Sequence, residues 1–257
     1  MRSASAQRPV SGAGDVAVHV VLVPVVLFAA AWLLQHGPLD LALESAFYDP
    51  NAKAFGWRAS RLLNLLGHQA ARGLPIVVAA ASLLAWALSY TQPRLRPWRT
   101  ILLTMACAML IGPALVNWMK ASTSAHCPVE LVEFGGTLSY AADRSAPFWA
   151  ATKASVGHCL PSGHAAGGYA LLCLYFAGWA AGRPRWRWTG LAIGIGAGLA
   201  FSLVRMLQGA HFASATMWSA AIDWSVCALL FLPLLHRQAP RPAPAPLRLR
   251  PDDRPSS

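Results

Sequence analysis

The chain is poor in charge: only 12% of its 257 residues are charged and just 10 are acidic. An ordinary soluble domain carries about twice that share. So thin a polar coat cannot cover a globule in water, which excludes a conventional soluble enzyme, and a 56% hydrophobic content excludes a disordered chain. The few acids form no cluster that would hold magnesium, there is no glycine-rich Walker loop, and no Cys-x-x-Cys or Cys/His spacing suits zinc. What remains is apolar sequence in long runs and a formal net charge of +11. The class these features point to is an all-α, polytopic membrane protein.

A spanning helix needs roughly 20 mostly apolar residues. Six runs qualify: 16–35, 69–90, 100–119, 164–182, 189–207 and 213–235. The first has Arg2 and Arg8 before it and fits two readings, a cleaved signal peptide or an uncleaved anchor; its apolar stretch is longer than a usual signal core, which favours the anchor. Thirteen of the 21 cationic residues fall in four segments on one side of these runs: the amino end, the 91–99 connection (Arg94, Arg96, Arg99), the 182–188 connection (Arg183, Arg185, Arg187) and the carboxyl tail. Positive charge flanking apolar runs marks the cytoplasmic side. The expected arrangement is therefore a six-helix bundle in a bacterial-type inner membrane, with both termini cytoplasmic and the segments 37–68 and 120–163 outside, the latter an insertion between helices 3 and 4. Charge divided in this way sets topology and excludes nucleic acid as a partner.

The expected organisation is a cytoplasmic segment 1–15, a membrane domain 16–235 and a Pro/Arg-rich, extended cytoplasmic tail 236–257, either solvated or touching anionic lipid. Within the first outer segment, Ala59, Leu62, Leu63 and Leu66 follow helical spacing and predict an amphipathic helix along the interface. Gly190, Gly194 and Gly198 recur every four residues, a stripe that lets another helix approach closely. Glu133–Gly136 (EFGG) reads as a turn. Cys107, Cys173 and Cys227 sit inside runs as small hydrophobes. Cys127 and Cys159 share the long outer segment, where an oxidising compartment would pair them in a disulfide; two separate thiols are the alternative.

Three polar clusters stand at run ends on one side: 117–128 (NWMKASTSAHCP), 158–168 (HCLPSGHAAGG) and 204–214 (VRMLQGAHFAS). Singly, each has a bland reading, with Lys120 snorkelling, His164 capping a helix and His211 a satisfied core histidine. Together, ionisable groups gathered at one membrane level mark function. Their chemistry suits phosphate. Lys120 and Arg205 supply charge and directed donors, and Ser162-Gly163 at a helix start presents a hydroxyl and backbone N–H groups to an anion. Two histidines allow one to attack phosphorus and the other to protonate the leaving oxygen. No cofactor and no metal is called for.

Lys120 followed by six residues and Cys127-Pro128, then Pro161-Ser162-Gly163-His164, then Arg205 with five residues to His211, resemble in order and spacing the three motifs (Lys-x6-Arg-Pro, Pro-Ser-Gly-His, Ser-Arg-x5-His-x3-Asp) of the type 2 phosphatidic acid phosphatase superfamily. The resemblance implies that His211 is the nucleophile of a phosphohistidine route and His164 the general acid. It also implies that Lys120, Ser162, Gly163 and Arg205 hold the phosphoryl group, and that the substrate is a lipid phosphate or diphosphate at the periplasmic face. Undecaprenyl diphosphate, phosphatidylglycerol phosphate, phosphatidic acid and lipid A phosphates are the substrates it suggests.

Three positions depart from that pattern. The first motif's arginine is Cys127, with His126 beside it as a substitute donor; the third motif's serine is Val204; and its aspartate is Ala215. Losing a carboxylate that orients a catalytic imidazole can cost a factor of about 10⁴, and Asp223, the one acid in the last run, lies about 18 Å farther along a helix axis. Ser214 or a backbone carbonyl is left to orient His211. The departures keep a second reading open, a weakened family member that binds lipid phosphate or a partner without hydrolysis; a small transporter is a third.

Overall fold

The computed structural model describes residues 13–236. The tail expected at 236–257, apart from His236, and most of the segment expected at 1–15 lie outside the described residues. Within them the molecule is helical, with one small hairpin. Five helices are long and apolar enough to cross a membrane: α1 (Gly14–His36), α3 (Ala71–Leu88), α4 (Pro93–Lys120), α7 (Pro184–Leu207) and α8 (Ala213–His236). Val21, Val25 and Leu33 of α1, and Ile76 and Val77 of α3, are each at least 59% exposed, the surface a helix offers to lipid rather than to water.

The sixth apolar run, 164–182, folds differently from a plain spanning helix. It forms α6 in three consecutive pieces: an α-helix Gly163–Tyr169, a 3₁₀ turn Ala170–Leu172 and an α-helix Cys173–Ala180. This interruption keeps α6 out of the set of continuous spanning helices. Its residues are almost all buried, because α6 packs against α3, α4, α7 and α8 at once. The glycine stripe explains how. A Cβ on Gly190 or Gly194 would run into the backbone of Leu174 or Leu172, and one on Gly198 into the Tyr169 ring, so α7 lies directly on α6. Tyr175, Phe176 and Trp179 of α6 then fill the core with Trp224 and Phe231 of α8.

Between α1 and α3 the chain forms α2 (Leu39–Ser45) and a hairpin of β1 (Tyr48–Asp49) on β2 (Ala54–Phe55), paired Tyr48 to Phe55. No separate interfacial helix follows. The helical turns Arg61–Asn64 and Leu65–Ala70 continue into α3, with Ser60 capping the start by accepting from the Leu63 N–H at 3.4 Å. Apolar spacing at 59–63 thus belongs to the end of a membrane helix. The long segment after α4 carries the short helix α5 (Tyr140–Ser145) and a turn at Val132–Phe134 closed by Gly135 at φ +83, a left-handed position that favours glycine.

The hairpin rests on the chain between α7 and α8. Phe55, Phe134, Leu131 and Phe212 form a buried cluster of their own. The Phe55 ring lies where a Cβ on Gly209 would be, and Gly209 has φ +64, so a side chain there is excluded twice over.

Candidate active site

The three polar clusters meet at one end of the bundle. Lys120 closes α4, Arg205 lies in the last turn of α7 and His211 follows on the short link to α8. Together with Arg58, Asn64, Cys127 and Gln208 they line a cavity of about 280 Å³. Among the described residues no carboxylate lines it, so its wall carries unopposed positive charge. The His164 ring stands next to that of His211, centroids 6.4 Å apart, with His164 at the start of α6.

The missing aspartate of the third motif has a substitute in the backbone. His211 Nδ1 lies 2.9 Å from the Cys159 carbonyl oxygen. A carbonyl only accepts, so Nδ1 carries the proton and Nε2 keeps the lone pair. Burial, and the charges of Lys120 and Arg205, hold the His211 pKa well below the ordinary histidine value. The imidazole is therefore neutral at neutral pH. Ser214 does not orient it. Its N–H and hydroxyl instead donate to Asp40, at 2.9 and 2.5 Å, which anchors the first turn of α8 to α2. Ala215 contributes its carbonyl, which accepts from the Ser162 N–H at 3.0 Å.

Cys159 is itself pinned. The structure joins it to Cys127 in a disulfide, with Cα atoms 5.1 Å apart, inside the range a disulfide spans. The same strand of chain is stitched to the end of α4: the Cys159 N–H donates to the Ala125 carbonyl at 3.1 Å, the Gly157 N–H to Thr123 at 3.0 Å, and the Thr123 hydroxyl to the Leu160 carbonyl. Cys127, Glu130 and Cys159 bring three metal-ligating side chains within 4.8 Å of one another. With the two sulfurs bonded to each other the trio offers one carboxylate, and that carboxylate accepts from the Cys127 N–H at 2.7 Å.

Ser162 is fully buried and caps α6, its Oγ accepting from the Ala165 N–H at 3.4 Å. Gly163 adjoins Asn117; a Cβ there would come 2.8 Å from the Asn117 Oδ1. Ser162, Gly163 and His164 are not among the residues lining the cavity with Lys120, Arg205 and His211, and His126 lines a different one. Its N–H and its Nδ1 both lie against Asp143, at 2.9 and 2.8 Å, and its side chain lines a separate cavity of about 280 Å³ with Leu138, Pro147 and Trp149. The carboxylate of Asp143 holds the histidine there by a charge-assisted contact.

Several participants carry no sequence signal. Asp40 is buried and Arg144 half-buried, 3.9 Å apart, and the Arg144 guanidinium lies over the Phe212 ring at 4.8 Å. Arg205 donates to the Gln208 side-chain oxygen at 2.8 Å, and Gln208 donates to Asn64 at 2.9 Å, a chain that fixes the guanidinium from the start of the α3 segment. Asn64 and Gln208 look like ordinary surface residues in the sequence, and only the fold brings them together.

No curated protein and no solved structure matches the chain. The model of the PAP2 superfamily matches residues 100–238, a stretch that holds Lys120, the Pro-Ser-Gly-His run and the Arg205–His211 pair and covers more than half of the sequence. On that match the chain belongs to the PAP2 superfamily, a group of phosphatase-type membrane proteins.

Proposed function

We propose that the protein is a membrane-embedded, metal-independent phosphatase or phosphotransferase acting on a lipid phosphate or diphosphate. The site faces the periplasm of a bacterial-type inner membrane, six helices cross the bilayer and both termini are cytoplasmic. The observation that carries this reading is the cavity whose wall a neutral histidine, with its proton committed to a carbonyl, shares with Lys120 and Arg205, with no acid among the described lining residues.

In the first half-reaction the His211 Nε2 lone pair attacks phosphorus, a bond forms from nitrogen to phosphorus and the bond from phosphorus to the leaving oxygen breaks. His164 gives its proton to that oxygen. Lys120 and Arg205 neutralise the charge that spreads over the equatorial oxygens, and the backbone at Ser162-Gly163 orients the group. The Cys159 carbonyl stabilises the Nδ1 proton as the imidazole ring becomes cationic. In the second half-reaction water, or an acceptor hydroxyl, attacks the phosphohistidine and gives its proton back to His164. A lipid tail stays in the bilayer while the head group enters from the side.

Ala215 favours a second reading, in which the site binds lipid phosphate without turning it over, because a carbonyl stabilises an imidazolium less than a carboxylate does. Release of phosphate from short-chain lipid phosphates by the purified full chain separates the two. Turnover by the native protein, lost by at least about 10³-fold in His211→Ala, supports the enzyme; an identical background from both proteins rejects it.

A further inference from the structure

The phosphate-site reading leaves one cation of the cavity wall unused. Arg58 lies outside the segment that matches the family, in the turn after the hairpin, yet its side chain lines the same cavity as Lys120, Arg205 and His211. Its place is set by the hairpin. The Arg58 N–H donates to the Phe55 carbonyl at 3.0 Å, and Phe55 is buried against Phe134 and the link 209–212. The Val129 N–H in turn donates to the Gly209 carbonyl at 3.1 Å, so the hairpin, the 3₁₀ turn at Pro128–Glu130 and the α7–α8 link pack together beside the cavity.

Charge and depth assign Arg58 a task different from that of its neighbours. His211 is 1% exposed, Lys120 and Arg205 are partly buried, and Arg58 is exposed. Among the described residues Arg58 forms no ion pair with a carboxylate. Cys127, which lines the same wall, has its sulfur in the disulfide and offers no cation. A guanidinium kept unpaired at the rim of a cationic cavity is a fork waiting for a second oxyanion.

We propose that Arg58 binds the lipid-linked phosphate of a diphosphate head group at the rim while Lys120 and Arg205 hold the terminal one beside His211, which makes the first outer segment the part of the molecule that distinguishes diphosphates from monophosphates. This rests on the cavity being the phosphate site.

The test is equilibrium binding of inorganic diphosphate and inorganic phosphate to the detergent-purified full chain, native, Arg58→Gln, Arg58→Lys and Arg205→Gln. A charge-assisted hydrogen bond is worth about 1.5–3 kcal/mol, or about 10- to 150-fold in affinity. Arg58→Gln is therefore expected to weaken diphosphate at least tenfold and phosphate by less than about threefold, Arg58→Lys to recover part of the loss, and Arg205→Gln to weaken both anions. Diphosphate affinity unchanged in Arg58→Gln, or both anions weakened equally by it, overturns the assignment while Arg205→Gln still reports on the site. Native protein that binds neither anion overturns the assignment and the phosphate-site reading together. Arg58 is exposed and its side chain holds no packing contact in the core, so an equal unfolding midpoint in Arg58→Gln is the accompanying control.

Discussion

A histidine reaches a defined tautomer only when one ring nitrogen is committed, and here a carbonyl commits it where a carboxylate is expected from the motif. The sequence shows the loss at Ala215 but not the replacement, because every residue has a carbonyl and only the fold selects the one at Cys159. Asp40 and Glu44 are hidden for the same reason. They lie one helical turn apart on α2 and both are fully buried, yet in sequence they read as the polar face of an outer loop. Asp40 holds Ser214, whereas both Glu44 oxygens lack a hydrogen-bond partner among the described residues. Burial, with Asp40 next to it, pushes the Glu44 carboxyl up to about 9 from its usual 4.5. The folded protein therefore keeps a proton that the unfolded chain releases above pH 4.5, and stability falls as the pH rises from 4.5 toward 9. Glu44→Gln removes that dependence. Its thermal midpoint in detergent should exceed the native one by several degrees at pH 8, for a gain of up to about 5 kcal/mol, and match it at pH 4. An equal offset at both values would mean that Glu44 is ionised in the fold.

At the scale of elements, apolar periodicity made the helices legible and missed what joins them. The run at 164–182 was readable as an apolar segment, but nothing in its composition separates a lipid-facing helix from one surrounded on all sides. The glycine stripe at 190, 194 and 198 gave the only hint, and the partner it points to is α6. The hairpin was not legible at all: strands of two residues carry no alternation, and their stability comes from Phe55, Phe134 and Phe212 packing across three distant segments. The place of His126 is hidden in the sequence because its neighbour Asp143 is 17 residues away, out of reach of any motif. The disulfide does two jobs at this scale. It closes a loop of 32 residues, worth about 3–4 kcal/mol on the chain-entropy estimate, and it steadies the carbonyl that orients His211. The double variant Cys127→Ala, Cys159→Ala is thus expected to unfold at a lower temperature and to lose turnover beyond that, measured at a temperature where both proteins are folded. Lower stability with unchanged turnover would confine the bridge to the first of these roles.

The whole molecule has two chemically different ends, and α6 connects them. At one end Gly163 and His164 adjoin Asn117 and His211. At the other, Gly178 packs against Trp186 and Arg187, Trp98 stacks on Trp186 at 5.6 Å, and the Arg183 guanidinium lies over the Trp186 ring at 4.4 Å. Tryptophans and arginines grouped in this way are what a membrane–water interface collects. Fifteen α-helical residues and three in a 3₁₀ turn give α6 a length of about 28 Å, close to the thickness of the hydrocarbon core, so the tighter turn helps 18 residues cover the distance. If α6 crosses, positions on either side of it face opposite compartments. With Cys107→Ala as background, a membrane-impermeant maleimide should label Ala151→Cys in intact cells and reach Arg185→Cys only after permeabilisation; both positions are exposed on the protein. Equal labelling of the two in intact cells would put 151 and 185 on one side, leave five spans, and separate the two ends of the chain across the membrane.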